Sequence, residues 1–180
     1  MFDRDFQIRG KYATYWKALS RIPGNAVETS NNFKVFENYI HVYMLSPIIG
    51  LLYGRKGFID PKDDSKDTAG MLAEIFIKNQ SKLKYIYRLI VLTDETEIIS
   101  KDERINRAFR EDSNEEAITE GMRIFNEYFL GGLEVLYETF VKSCDNEDDY
   151  INKIFEFVTN FNMEQNIDSL EVDIDKLLRK

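Results

Sequence analysis

Histidine and cysteine each occur once in the 180 residues. A lone cysteine excludes an intrachain disulfide and any site built on several thiolates, and a lone histidine excludes a multi-histidine metal site within one chain. Proline is scarce at 3 residues and glycine modest at 9, so the composition fits neither a collagen-like nor a low-complexity chain. Long apolar runs are lacking too. The most apolar stretch, residues 42–53, is interrupted by Ser46, Pro47 and Gly50 and falls well short of the roughly twenty residues that cross a bilayer. The first twenty residues lack the continuous apolar core of a secretory signal. The expectation is a soluble, cytoplasmic protein with no membrane role and a reduced thiol at Cys144.

What is present suits a packed core. Hydrophobic residues make up 43% of the chain and charged residues 31%, and a chain of this length buries roughly 70% of its unfolded surface. The net charge of −8 conceals a division: residues 1–90 hold 14 Lys/Arg against 9 Asp/Glu, whereas residues 91–180 hold 10 against 23. Halves of +5 and −13 can fold onto each other, present two faces to different partners, or drive self-association.

The apolar periodicity is helical almost throughout. One stripe begins at Phe36 and runs through Tyr39, Ile40, Tyr43, Met44, Ile48, Leu51 and Leu52, with Pro47 expected to kink or break it. A second, Leu72, Ile75, Phe76, Leu83, Ile86, Tyr87 and Ile90, is expected to start after the possible caps Asp67 and Thr68. A third segment opens with Ser100-x-x-Glu103, the capping-box spacing. The fourth stripe, from Ile118 to Phe140, crosses Gly131-Gly132 in phase, which points to close backbone packing rather than a helix break. The fifth is Ile151, Ile154, Phe155, Val158 and Phe161. Shorter helices are expected over residues 11–20 and 167–178, and residues 170–174 could form a short strand. The predicted fold is all-α: one irregular bundle of five to seven helices over residues 1–180, with an N-terminal arm or helix at 1–32 and a tail helix at 163–180.

Two groups of cations are candidate binding residues. Arg55 and Lys56 stand between Gly54 and Gly57, past the end of the most apolar helix; they suit a phosphate clamp or an ordinary helix terminus with basic residues. Arg104, Arg107 and Arg110 recur at spacing three as one ridge, which Arg88 could join from the preceding helix. Asp102, Glu103, Glu111 and Asp112 could equally neutralise that ridge locally.

Catalytic motifs are weak. Residues 60–67 offer four carboxylates, but a calcium loop would need Glu where Met71 stands. His41, with Glu37 one turn earlier, lacks a nucleophile to serve. Cys144 lies among acids that disfavour its thiolate. Glu116/Glu120 and Glu134/Glu138 are carboxylate pairs at spacing four, unlike the E-x-x-E and E-x-x-D pattern of all-α phosphohydrolases. No cofactor or metal is expected. The expected role is a non-enzymatic interaction, scaffold or accessory subunit of a larger intracellular complex, with protein partners and possible homo-oligomers. Nucleic-acid contact through Arg55, Lys56, Arg88, Arg104, Arg107 and Arg110 is one alternative, opposed by a pI of about 4.8. A carboxylate-held magnesium phosphohydrolase is the other.

Overall fold

The computed structural model describes residues 1–20, 34–61, 65–96, 100–110, 114–142, 144 and 147–165. The chain is mostly helical, as the periodicity predicts. It divides into two compact units, Met1–Lys142 and Ser143–Lys180.

The first unit is organised by two helices, α2 (Tyr39–Leu52) and α6 (Glu115–Phe140), which pack along one another more extensively than any other pair. Their closeness comes from glycine and not from side-chain interlocking. A Cβ built on Gly132 would stand 1.7 Å from the Ser46 carbonyl oxygen, and one on Gly50 would stand 2.1 Å from the Tyr128 carbonyl oxygen. The glycine pair in α6 is therefore a site of backbone contact, and the helix runs through it unbroken. Pro47 does not break α2 either: the helix continues from Tyr39 to Leu52 with Pro47 buried inside it. Packing against α6 holds both halves and outweighs the lost amide donor.

Four further helices complete this unit: α1 (Lys11–Leu19), α3 (Ala73–Lys78), α4 (Gln80–Thr93) and α5 (Lys101–Phe109). Termini follow local chemistry. The Ser100 hydroxyl accepts the Glu103 amide at 3.1 Å to start α5, and the Asn114 side-chain oxygen accepts the amides of Glu116 and Ala117 to start α6. The Glu103 carboxylate accepts from Arg107 one turn later in α5. The core is aromatic: Tyr43 has Phe6, Phe76 and Phe129 around it at centroid distances of 5.2, 5.1 and 4.8 Å. Trp16, fully buried, donates its indole N–H to the Tyr39 carbonyl at 3.2 Å.

Three expectations need correction. A small antiparallel sheet joins β1 (Phe6–Arg9) to β2 (Thr68–Met71), pairing Phe6 with Met71 and Arg9 with Thr68. Four-residue strands are too short to show an alternating pattern. Thr68 is thus a strand residue, not a helix cap, and the helix expected there starts at Ala73, whose amide is accepted by the Asp5 carboxylate at 2.7 Å. The stripe from Ile75 to Ile90 also spans two helices, because Asn79 caps α3 and the pattern resumes in phase in α4. Third, α2 begins at Tyr39; Phe36 instead gives its amide to the Leu19 carbonyl at 3.0 Å.

The second unit holds α7 (Glu147–Gln165), which carries the fifth stripe. The expected tail helix beyond residue 165 and the strand at 170–174 lie outside the described residues.

Candidate functional site

The best-organised polar cluster forms where the Gly54–Gly57 segment crosses α6. The end of α2 is a Schellman motif: the Gly54 amide reaches the Leu51 carbonyl at 3.0 Å and the Arg55 amide reaches the Gly50 carbonyl at 2.8 Å. Gly54 supplies the left-handed conformation this requires, with φ +59°. The chain then lies on α6 as a strap. The Gly57 amide donates to the Glu127 carbonyl at 2.8 Å, and a Cβ on Gly131 would stand 1.9 Å from the Arg55 carbonyl oxygen.

Both cations of the strap turn onto carboxylates of the helix it crosses. Arg55 is bidentate on Glu138, at 2.5 and 3.0 Å, and its Nε donates to Glu134 at 3.1 Å. Glu134 also receives the Lys11 ammonium at 2.7 Å and lies 3.0 Å from the Tyr12 hydroxyl. Burial pushes the Glu134 carboxyl upward, but Lys11, Tyr12 and Arg55 outweigh it and hold the group below the usual carboxylate range. The Arg55 hydrogen bonds hold Glu138 low as well.

Lys56 enters a more secluded setting. Its ammonium lies 2.7 Å from the Thr96 hydroxyl, 3.4 Å from Asp94, 3.4 Å from Glu127 and 4.8 Å from the centroid of the Tyr128 ring. Asp94, only 2% exposed, accepts from the Tyr128 hydroxyl at 2.8 Å and the Thr96 hydroxyl at 2.8 Å. Burial would raise its pKa; the hydrogen bonds from Tyr128 and Thr96 and the charge of Lys56 win, and the net direction is downward. Tyr128 is driven the other way, by burial first and then by Asp94. The phenol is thus a donor throughout the ordinary pH range and no base.

Arg104 and Arg107 lie on α5 and Arg110 caps its end, with a polar neighbour for each. Arg104 donates to Glu95 at 3.2 Å and to the Asp94 carbonyl at 3.3 Å, Arg107 to Glu103 at 2.9 Å, and Arg110 to the Asn106 side chain at 3.1 Å. Arg88 reaches α5 through the Phe109 ring, at 5.6 Å from its centroid. Beside this ridge, a groove of about 740 Å³ is lined by Glu103, Arg107, Asn114, Glu116 and Glu120, an acidic wall that would repel a phosphate. The structure therefore brings Arg55 and Lys56 together over α6 and sets Arg88 on α4, Arg104 and Arg107 on α5 and Arg110 at the end of α5. Asp94, Glu127, Tyr128, Lys11 and Tyr12 complete the strap cluster.

The remaining candidates do not converge. His41 and Glu37 are exposed. Cys144 is a half-exposed thiol, Glu120 pairs with Arg123, and Glu134/Glu138 is occupied by Arg55 and Lys11. Among the described residues no three His, Cys, Asp or Glu side chains group as metal ligands, and no helix is long and apolar enough to cross a membrane.

Fold and cluster together define a helical-bundle protein whose best-organised polar network fastens a loop to its longest helix. Such a network identifies no reaction. The chain belongs to the family of DNA sulphur modification system-associated protein 4, whose model matches residues 25–177. Comparison with curated proteins and with solved structures gives no match.

Proposed function

We propose that this protein is a non-catalytic, protein-binding accessory subunit of an intracellular DNA sulphur modification system. The family supplies the system. The observation that carries the mode of action is the strap: its two cations point inward onto Glu134, Glu138, Asp94 and Glu127, while Tyr53, Phe58 and Ile59 are 53%, 65% and 57% exposed. A segment so anchored offers aromatic and aliphatic side chains on a prepaid backbone, which is how a protein interface keeps its ordering cost low.

Affinity purification from the native cell, with and without nuclease, tests this. The expected result is a nuclease-resistant protein partner that is lost from the double variant Tyr53→Asp with Phe58→Asp. Recovery that depends on nucleic acid and disappears in Arg104→Glu with Arg107→Glu would install the nucleic-acid reading in its place. Nucleotide hydrolysis with magnesium that is robust in the native chain and lost in Glu134→Gln or Asp64→Asn would establish the phosphohydrolase instead.

A further inference from the structure

Two helix faces in this chain are complementary. On α4, which contains no acidic residue, Lys82, Tyr85 and Arg88 recur at spacing three as one ridge on the side away from the buried Leu83, Ile86, Tyr87 and Ile90. Tyr85 is 71% exposed, Lys82 is exposed, and neither Lys82 nor Lys84 makes an ion pair among the described residues. Phe109 of α5, 52% exposed, extends the ridge through its contact with Arg88. The face is basic and aromatic, and no carboxylate of its own helix quiets it.

The second face is on α7. Ile151, Phe155 and Val158, at spacing four and three, are 54%, 72% and 50% exposed. Asp148 continues the same ridge one turn earlier, and the helix holds five Asp/Glu against the single Lys153, itself paired with Glu156 at 2.7 Å. This face is apolar with an acidic end. Two copies of α7 paired in parallel would bring their acidic ends together, and paired antiparallel they would gain no opposite charge, whereas α4 offers α7 opposite charge and an aromatic surface.

We infer that the chain self-associates head to tail, with the Asp148–Ile151–Phe155–Val158 ridge of one copy seated on the Lys82–Tyr85–Arg88 ridge and Phe109 of another. Such a contact is heterologous, so a pair of copies leaves one α4 ridge and one α7 ridge unused and assembly proceeds to chains or a closed ring. Two short ridges fall below the roughly 800 Å² per partner of a standard interface, so the association belongs to the weak class and weakens with salt.

The test is sedimentation velocity on the full chain over a roughly hundred-fold concentration range up to about 100 micromolar, at low and high salt. The native chain should shift from monomer to larger species with concentration, less so at high salt. Tyr85→Asp and Phe155→Asp, both on exposed side chains and checked by circular dichroism for native helix content, should each weaken self-association about thirty-fold or more. Mixing the two variants is decisive. Each retains the face the other lacks, so the mixture should form a one-to-one dimer that neither forms alone. A native chain monomeric at every concentration would overturn the inference, and so would loss of association in Phe155→Asp but not in Tyr85→Asp, which would mean that α7 pairs with itself. If Tyr85→Asp abolished binding of a DNA oligonucleotide and left self-association unchanged, the α4 ridge would be a nucleic-acid contact and the proposal would fall.

Discussion

Replacing Gly132 by alanine tests the backbone contact on which the helix pair is built. The new Cβ would stand 1.7 Å from the Ser46 carbonyl oxygen, 2.6 Å from the Ser46 carbonyl carbon and 2.7 Å from the Gly50 amide nitrogen. Ordinary contact begins at 3.4 Å, so the nearest atom must recede by about 1.7 Å. Every one of these neighbours is α2 backbone, and no rotamer change can relieve them. The two helices must part, loosening Tyr43 against Phe129 and Phe125. Overpacking ordinarily costs about 1–3 kcal/mol, and a purely backbone clash belongs at or above the top of that range. Against it stands about 1 kcal/mol of helix propensity that alanine gains over glycine. A net loss of about 2 kcal/mol or more is expected, or a fall of roughly 6 °C in Tm for a chain of this size. Urea and thermal denaturation followed by circular dichroism would measure it. Gly54→Ala is the control: nothing lies within 4 Å of its Cβ, and only the positive φ resists the change, at about 1 kcal/mol. Should Gly132→Ala prove neutral or stabilising, propensity alone would govern the position and the close approach of α2 to α6 would be refuted.

Lys56→Met and Arg55→Met, adjacent in sequence, should differ in severity. The first strands the buried Asp94 and costs about 3 kcal/mol, while the second removes a partly exposed pair worth about 1 kcal/mol at most, so equal urea midpoints would contradict the assignment. Tyr128→Phe should cost about 1–2 kcal/mol at neutral pH by removing one donor to Asp94. The acid limb of stability gives a further check. Because the folded pKa of Asp94 lies below its ordinary value near 3.8, its contribution is complete above that value and is lost as pH falls through the folded one. The native chain should therefore lose more stability than Tyr128→Phe between neutral pH and about pH 3, and parallel pH profiles would count against the hydrogen bond. Ser100→Ala should remove the side-chain cap of α5 at a cost of about 1 kcal/mol, seen as reduced protection of the α5 amides in hydrogen exchange.

Most helices were legible because they bury a stripe, and a stripe recurs locally. The same local logic revealed the Ser100 cap and, from a register carried through Gly131-Gly132, the contact between backbones. It failed where structure depends on partners distant in sequence. The β1–β2 pair draws together residues 6–9 and 68–71, and nothing in either tetrapeptide announces the other. Asn79 escaped notice because Phe76 and Leu83 lie two turns apart, so the register survives the break. The cluster on α6 was half visible. The charge division between the two halves of the sequence left open that they fold onto each other, and Lys11–Glu134, Arg55–Glu138 and Lys56–Glu127 each join the basic half to the acidic one. Which carboxylate meets which cation follows from the path of the strap, and that path is set by the close approach of helices that are far apart in sequence.

Asp94 has one further consequence, because it serves three neighbours with different atoms. Its carboxylate holds the strap through Lys56 and α6 through Tyr128, while its backbone carbonyl accepts Arg104 from α5. A partner that seized Tyr53 and Phe58 and levered the strap away would withdraw Lys56 and leave that carboxylate short of a counter-charge in a secluded place. One relief is for the end of α4 to swing toward water, and Arg104 would be carried with it. Pulling on one surface of the molecule would thus be felt at α5, with a single aspartate as the fulcrum.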